Sequence, residues 1–331
     1  MTSLNRRHFN RLLGAGATAA ALGVSPQAKA SPRVVTIASL FGEDKPETRI
    51  WVRIREQLEK QLPGRFDLRI VQNAALGGEK QVAEGVRLGS IQGSLSTISA
   101  LSSWVPESQL LDLPFLFTDR AHVRRVLDGK LGQEFKEKFT AQGFVTLGFI
   151  NYGARHLLAK EALTSPAGVN GKRVRVIQSP LHTELWKSYG ARPTAIPITE
   201  TYNALKTGVV DAMDLTKSAY AGFKLYEVVP YLIETSHIWA SGIVYLSQSF
   251  WKSLNEEERA AFAAAGAQGA RHFDELIVAD EGASVERVKG AGGKVLAAQN
   301  LAEWREGARK VWAQQAPALG GIERIEAIAR G

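Results

Sequence analysis

From Gly171 to Asp214 the apolar and polar positions change period repeatedly. Arg173 to Ile177 alternates basic and β-branched residues, the pattern of a strand. Pro180 suits a helix start, and the spacing predicts a short helix from Leu181 to Tyr189 that Gly190 ends in the left-handed conformation. Thr194 to Ile198 reads as a second strand. Thr199 is the expected N-cap of a helix carrying Tyr202, Ala204 and Leu205, closed by Gly208. Val209 to Asp214 reads as a third strand, apolar until its acidic end. Strand and helix alternate as in a parallel sheet, where ligands lie beyond the carboxyl ends of the strands. That rule places Gln178 and Asp214 beside a pocket, with Arg175 three residues before Gln178.

The first hundred residues repeat this architecture without repeating its sequence. Arg33 to Ser39 predicts a strand. Lys45 to Gln61 has helical spacing at Ile50, Trp51, Ile54 and Leu58 and stops at Leu62-Pro63-Gly64. Phe66 to Val71 is a strand. Gly77-Gly78 leads into a helix from Glu79 to Leu88, and Ile91 to Ile98 is a short Ser-rich strand. Phe144 to Asn151 reads as a strand leaving one lobe and Ile238 to Leu246 as one returning. From Asn255 to about Ala291 the chain is helix-rich, with Ser253 and Glu256 at capping-box spacing. Two α/β lobes crossed more than once by the chain suit a hinge.

Residues 1–30 carry Arg6, Arg7, Arg11 and Lys29 and no acidic side chain, followed by an apolar run from Leu12 to Val24 and then Ala28-Lys29-Ala30. This is the layout of an export signal. The run is shorter than the roughly 20 residues a membrane-spanning helix needs. The string Asn5-Arg6-Arg7-His8-Phe9-Asn10-Arg11 points to twin-arginine export, with a Sec signal as the alternative. The expected location is the bacterial periplasm, with the mature chain starting near Ser31. Removing four basic residues lowers the formal net charge from +8 to +4. That charge is mild and dispersed, so no nucleic-acid partner is expected.

The chain has no cysteine, which excludes disulfides, thiolate-held metal or iron–sulfur sites and a cysteine nucleophile. Its six histidines include no pair at metal-ligand spacing. Ser249-Phe250-Trp251-Lys252 fits the Ser-x-x-Lys spacing of penicillin-binding enzymes, but the accompanying motifs are missing. Gly77-Gly78 lacks the third glycine of a dinucleotide loop. Glu200 and Asp211 read as a helix-start charge and a strand-end acceptor, not an acid–base pair. No catalytic residue, metal or cofactor is expected.

Four strings together carry a resemblance: Asn73-Ala74-Ala75-Leu76-Gly77-Gly78-Glu79, Leu111-Asp112-Leu113-Pro114-Phe115-Leu116-Phe117, Arg173-Val174-Arg175-Val176, and the run from Tyr202 to Asp211. They resemble the periplasmic solute-binding proteins of TRAP transporters, the DctP family, over residues 34–266. The resemblance implies a two-lobed α/β binding-protein fold closing over a small organic acid, with a hinge and a long C-terminal helix spanning both lobes. The corresponding boundaries are 31–152 for the first lobe and 153–238 for the second. Residues 239–280 return to the first lobe, and 281–331 form the long helix and C-terminal part of the second. The expected chain is a monomer that hands its ligand to membrane permease subunits. A sensor's binding component and a twin-arginine-exported enzyme are the competing readings.

The family's carboxylate-binding arginine maps onto Arg175, whose planar fork of donors matches a carboxylate in geometry and charge. Arg155 matches a second position near the ligand, and Gln178 a polar contact. Asp214-Leu215 stands where many relatives have Glu-Asn, and Lys45 replaces a common histidine. Asn73 and Ser96, with Ser39 and Thr97, are the first-lobe residues expected to close over the ligand. Trp239 is expected at the pocket wall or in the core near the hinge.

Overall fold

A computed structural model describes residues 31–331; the export signal expected over residues 1–30 lies outside the described residues. The first lobe begins with β1 (Arg33–Ala38), α1 (Pro46–Gln61), β2 (Phe66–Val71), α2 (Glu79–Leu88) and β3 (Gly93–Thr97), close to the sequence expectation. The short α3 (Ile98–Leu101) and a 3-10 turn at Pro106–Asp112 follow, then α4 (Arg120–Asp128) and α5 (Lys130–Ala141). β4 (Phe144–Ala159) leads into the second lobe, which contains α6 (Pro166–Val169), β5 (Arg173–Val176), α7 (Pro180–Ser188), β6 (Arg192–Ala195), α8 (Ile198–Lys206), β7 (Ala212–Thr216) and α9 (Lys217–Gly222). β8 (Tyr231–Ser247) returns, followed by α10 (Gln248–Lys252), α11 (Glu256–Gly290), β9 (Lys294–Ala297), α12 (Leu301–Leu319) and α13 (Ile322–Arg330).

β4 and β8 are much longer than the strands expected at Phe144–Asn151 and Ile238–Leu246. They pair antiparallel from Phe144↔Ser247 to Ala159↔Tyr231 and so run through both lobes. The strand order β2-β1-β3-β8-β4-β7-β5-β6 is therefore one hydrogen-bonded path, with β9 beside β8. The register shifts between Asn151 and Gly153 and again between Arg155 and Leu157, and such bulges bend a strand. Gly153 has φ +95°, and a Cβ there would meet the Glu281 carboxylate at 2.0 Å. A side chain here would strain the backbone and push Glu281 away from Arg120.

The long helix is α11. It starts at Glu256, not near residue 281, because Asn255 caps it: the Asn255 side chain accepts from the Glu258 amide at 2.9 Å, and Glu258 accepts from the Asn255 amide at 3.0 Å. The expected box at Ser253 and Glu256 does not form, since the Ser253 hydroxyl donates to the Phe250 carbonyl at 2.6 Å. α11 reaches both lobes. Gly269 packs under Ile50 and Ile54 of α1, and Asp280 takes the buried Lys45 ammonium at 3.0 Å. That same ammonium donates to the Ser218 carbonyl of α9 at 3.2 Å and to Ser284 at 3.2 Å.

The C-terminal segment is not confined to the second lobe. β9 extends the sheet there, pairing Tyr231↔Lys294, and α12 meets α7 where Tyr189 donates to the Trp304 carbonyl at 2.5 Å. α13 instead reaches α4 and α5, through His122 to the Ile328 carbonyl at 2.8 Å and Arg324 to Glu134 at 2.6 Å. The buried apolar side chains among the described residues form three clusters, with Trp51, Trp186 and Trp304 among the largest fully buried side chains.

Candidate functional site

Two connected cavities lie between the lobes. The outer one has a volume of about 590 Å³ and reaches from Gly78 and Glu79, at the start of α2, to Pro197–Glu200, at the start of α8. The inner one, about 50 Å³, lies between Phe41 and Leu95 of the first lobe and Leu215 and Phe223 of the second. Arg175, Glu79, Ile177 and Ile198 line both. Arg175 thus stands where the chambers meet.

The backbone explains how Arg175 gets there. β5 is short and pairs in parallel with β6 on one side and β7 on the other, with Arg175↔Thr194 and Arg175↔Met213. Its guanidinium is buried, at 2% exposure, and Nε donates to the Ile196 carbonyl at 2.8 Å. Among the described residues no carboxylate lies within salt-bridge distance of it. Burial, then the neighbouring positive charge of Arg155, push its pKa down to about 10. Arg173, two residues earlier at the start of β5, is exposed and paired with Asp211 at 2.6 Å.

Arg155 lies on β4 at the inner chamber, but its charge is already matched. Nε donates to Asp214 Oδ2 at 2.6 Å and Nη2 to the Asp214 carbonyl at 2.8 Å. Asp214 was expected at a strand end facing the pocket; it sits instead in the middle of β7 and lines neither cavity. The reason is local. The Val209 and Val210 amides are held by the Ala204 carbonyl, at 2.9 and 3.3 Å, as α8 closes. The strand therefore begins at Ala212, and Asp214 pairs with Leu157 inside the sheet. Burial alone would raise its pKa; Arg155, then His182 and His237, hold it well below the ordinary carboxylate range. Leu215, the next residue, faces the inner chamber.

Behind Arg155 lies a buried polar network. His237 stands 3.2 Å from Asp214, and His182 stands 2.7 Å from Asp112 and 3.7 Å from Asp214. Ser99 donates to Asp112 at 2.5 Å. Burial pushes the His182 imidazole down, but the Asp112 carboxylate beside it raises its pKa overall. The serine bonds to the aspartate more closely than to the imidazole, which is 3.3 Å away, so this is not a nucleophile–base pair.

The other expected residues separate. Gln178 lines the outer cavity and its side chain makes no hydrogen bond among the described residues. Thr97 lines the inner one. Ser96 is fully buried and shares a hydrogen bond of 2.9 Å with Tyr245, because side chains alternate along β3 and its face turns to the core. Ser39 shares its hydroxyl with Thr48 at 2.7 Å. Asn73 lies on an exposed turn with φ 57° and lines neither cavity. Trp239 also lies away from both; it pairs with Ala154 across β4 and β8 and packs under the Arg120 guanidinium, 5.6 Å from its ring. Thr199 sits inside the first turn of α8, not at its cap, because Pro197 takes that position.

Several cavity residues escaped sequence reasoning. Glu79 accepts from the Thr97 amide at 2.6 Å and from its hydroxyl at 3.3 Å, tying α2 to the end of β3. The signal was a lone acid directly after Gly77-Gly78. Glu47, in the first turn of α1, lines the inner chamber; its Oε2 is buried without a partner, and burial raises its pKa to about 7. In sequence it looks like an ordinary helix-start acid. Phe41 and Phe223 approach from opposite lobes, with ring centroids 4.5 Å apart.

The model of the bacterial extracellular solute-binding proteins, family 7 (DctP), matches residues 37–318. The chain belongs to this family. A solute-binding protein of Verminephrobacter eiseniae is 31% identical over 242 residues, covering 73% of this chain and 72% of that protein. The C4-dicarboxylate-binding periplasmic protein DctP of Shewanella loihica is 26% identical, over 97% of this chain and 96% of its own. A TRAP periplasmic solute-binding protein from Bradyrhizobium sp., solved in complex with galacturonate, superposes with a TM-score of 0.86 at 30% identity, covering 90% of this chain and 100% of that one. As a family 7 protein, the chain is a solute-binding protein whose two lobes meet at the cleft described above.

Proposed function

We propose that this family 7 protein captures a small organic acid in the periplasm, closes its lobes over it and delivers it to a TRAP-type membrane transporter. It acts by binding, not by catalysis. The observation that carries the reading is the Arg175 guanidinium, buried where the two chambers meet and without a carboxylate partner among the described residues. A buried charge without a counter-ion costs free energy that an arriving carboxylate returns. Arg155 is neutralised by Asp214, so Arg175 anchors the ligand and Arg155 lines the inner chamber beside it. Gln178 extends the contact on the outer side and Thr97 on the first lobe.

Mass spectrometry of small molecules released on denaturation tests this reading, combined with calorimetry on the stripped protein. An organic acid should be released at about one per chain and rebind, while Arg175→Ala should release and rebind none. Release of a cation or a neutral sugar, or unchanged affinity in Arg175→Ala, would overturn it.

A further inference from the structure

The cleft is asymmetric in chemistry. The outer chamber is rich in polar groups, among them Lys80, Gln81, Glu84, Gln178 and Glu200. The inner one is walled by Phe41, Leu95, Ile177, Ile198, Leu215 and Phe223. A space of about 50 Å³ holds roughly four waters at 10–15 Å³ each, so it suits a short molecular body. The Phe41–Phe223 pair, contributed by both lobes, shuts it: a Cβ on Gly222 would meet the Phe41 ring at 2.7 Å.

Most polar groups on the inner wall are already used. Glu79 and Thr97 bind each other, and Arg155 is held by Asp214. Beside the arginines' remaining N–H groups, the unspent ones among the described residues are the Tyr152 and Thr216 hydroxyls and one oxygen of Glu47. That set serves one head group. It cannot satisfy a body with a hydroxyl on each carbon, and a buried hydroxyl without a partner is unfavourable. A second carboxylate in the chamber would lie beside Glu47 and Glu79, where among the described residues that line it only Arg175 is a cation without a carboxylate partner; the nearby Lys45 is spent on Asp280.

Resting on the carboxylate capture proposed above, we infer that the ligand is a compact monocarboxylate with a hydrocarbon body. Its carboxylate sits on Arg175 and its short branched-chain body fills the inner chamber against Leu215 and Phe223. Galacturonate, the ligand in the Bradyrhizobium relative, belongs to the class this chamber excludes.

Calorimetry on the stripped full chain, with 3-methyl-2-oxobutanoate, 4-methylpentanoate, 2-methylpropanoate, succinate and D-galacturonate as probes, tests the assignment. At least one hydrocarbon acid should bind about tenfold or more tightly than both succinate and galacturonate, the discrimination a hydrophobic pocket provides. Leu215→Asn should reduce that preference, and if this variant fails to fold, the unaltered protein's ranking alone decides. Succinate or galacturonate binding as tightly or more tightly would overturn the hydrocarbon assignment and leave carboxylate capture standing. If none of the five binds and no organic acid is released on denaturation, both readings fall.

Discussion

Arg155 and Asp214 form a fully buried ion pair, Nε to Oδ2 at 2.6 Å, with a second bond from Nη2 to the Asp214 backbone carbonyl. The pair ties β4 to β7 and neutralises one of two adjacent arginines. Arg175 is thereby left as the group that lacks a counter-charge, and this division of labour underlies the first two predictions.

Arg175→Ala should weaken acid binding by roughly 2–5 kcal/mol, the usual effect of leaving a buried charge unpaired. Without ligand the variant should be at least as stable as the parent, because the desolvated cation is gone. Differential scanning fluorimetry reads both: an unchanged or higher melting temperature alone, and loss of the ligand-induced rise.

Asp214→Asn should do the opposite. It leaves Arg155 buried beside a neutral amide and should destabilise the fold by about 3–5 kcal/mol. Urea denaturation should show a lower midpoint with an unchanged slope. A variant as stable as the parent would mean that the pair contributes nothing net.

Acid should expose the same pair. Asp214 and Asp112 titrate below their ordinary range in the fold. Depressed carboxylates contribute stability that is present above the unfolded pKa, about 3.9, and is lost as pH falls through the folded values. Unfolding monitored by circular dichroism between pH 5 and pH 2 should therefore steepen below about pH 4. Asp214→Asn should flatten that slope.

Glu47 runs the other way. Its carboxyl is raised to about 7 by burial, so the folded state holds a proton that the unfolded chain releases near pH 4.5. Stability should fall as pH rises from about 4.5 to 7 and level off above. Glu47→Gln should remove this dependence, gaining up to about 3 kcal/mol at pH 8 and little at pH 4. Urea midpoints at the two pH values check it; equal gains at both would refute the assignment.

Lys45→Met should loosen the lobes. The ammonium links the start of α1 to Asp280 and Ser284 of α11 and to the Ser218 carbonyl of α9. Losing these bonds should cost about 1–3 kcal/mol, since Asp280 keeps some solvent access. Hydrogen exchange should quicken in α9 and the C-terminal half of α11 before the first-lobe sheet.

Much of the architecture was readable in order along the chain. Hydrophobic period and glycine or proline stops located β1, α1, β2, α2, β5 and α7 to within a few residues, because these elements depend on local spacing. The place of Arg175 in the cleft was readable too, from the motif around β5. Two things were not. Strand lengths in β4 and β8 depend on a partner strand more than seventy residues away, and β7 begins late because α8 consumes the amides of Val209 and Val210.

The same distinction separates the site residues. Local pattern determined which side chains carry charge and which strand brings Arg175 to the cleft. Only the tertiary structure decided that Asp214 cancels Arg155, that Ser96 turns inward to Tyr245, and that Phe41 meets Phe223 across the cleft. A side chain's type is set by one codon, but its electrostatic role depends on which charge folds against it, and that is a long-range property of the sheet.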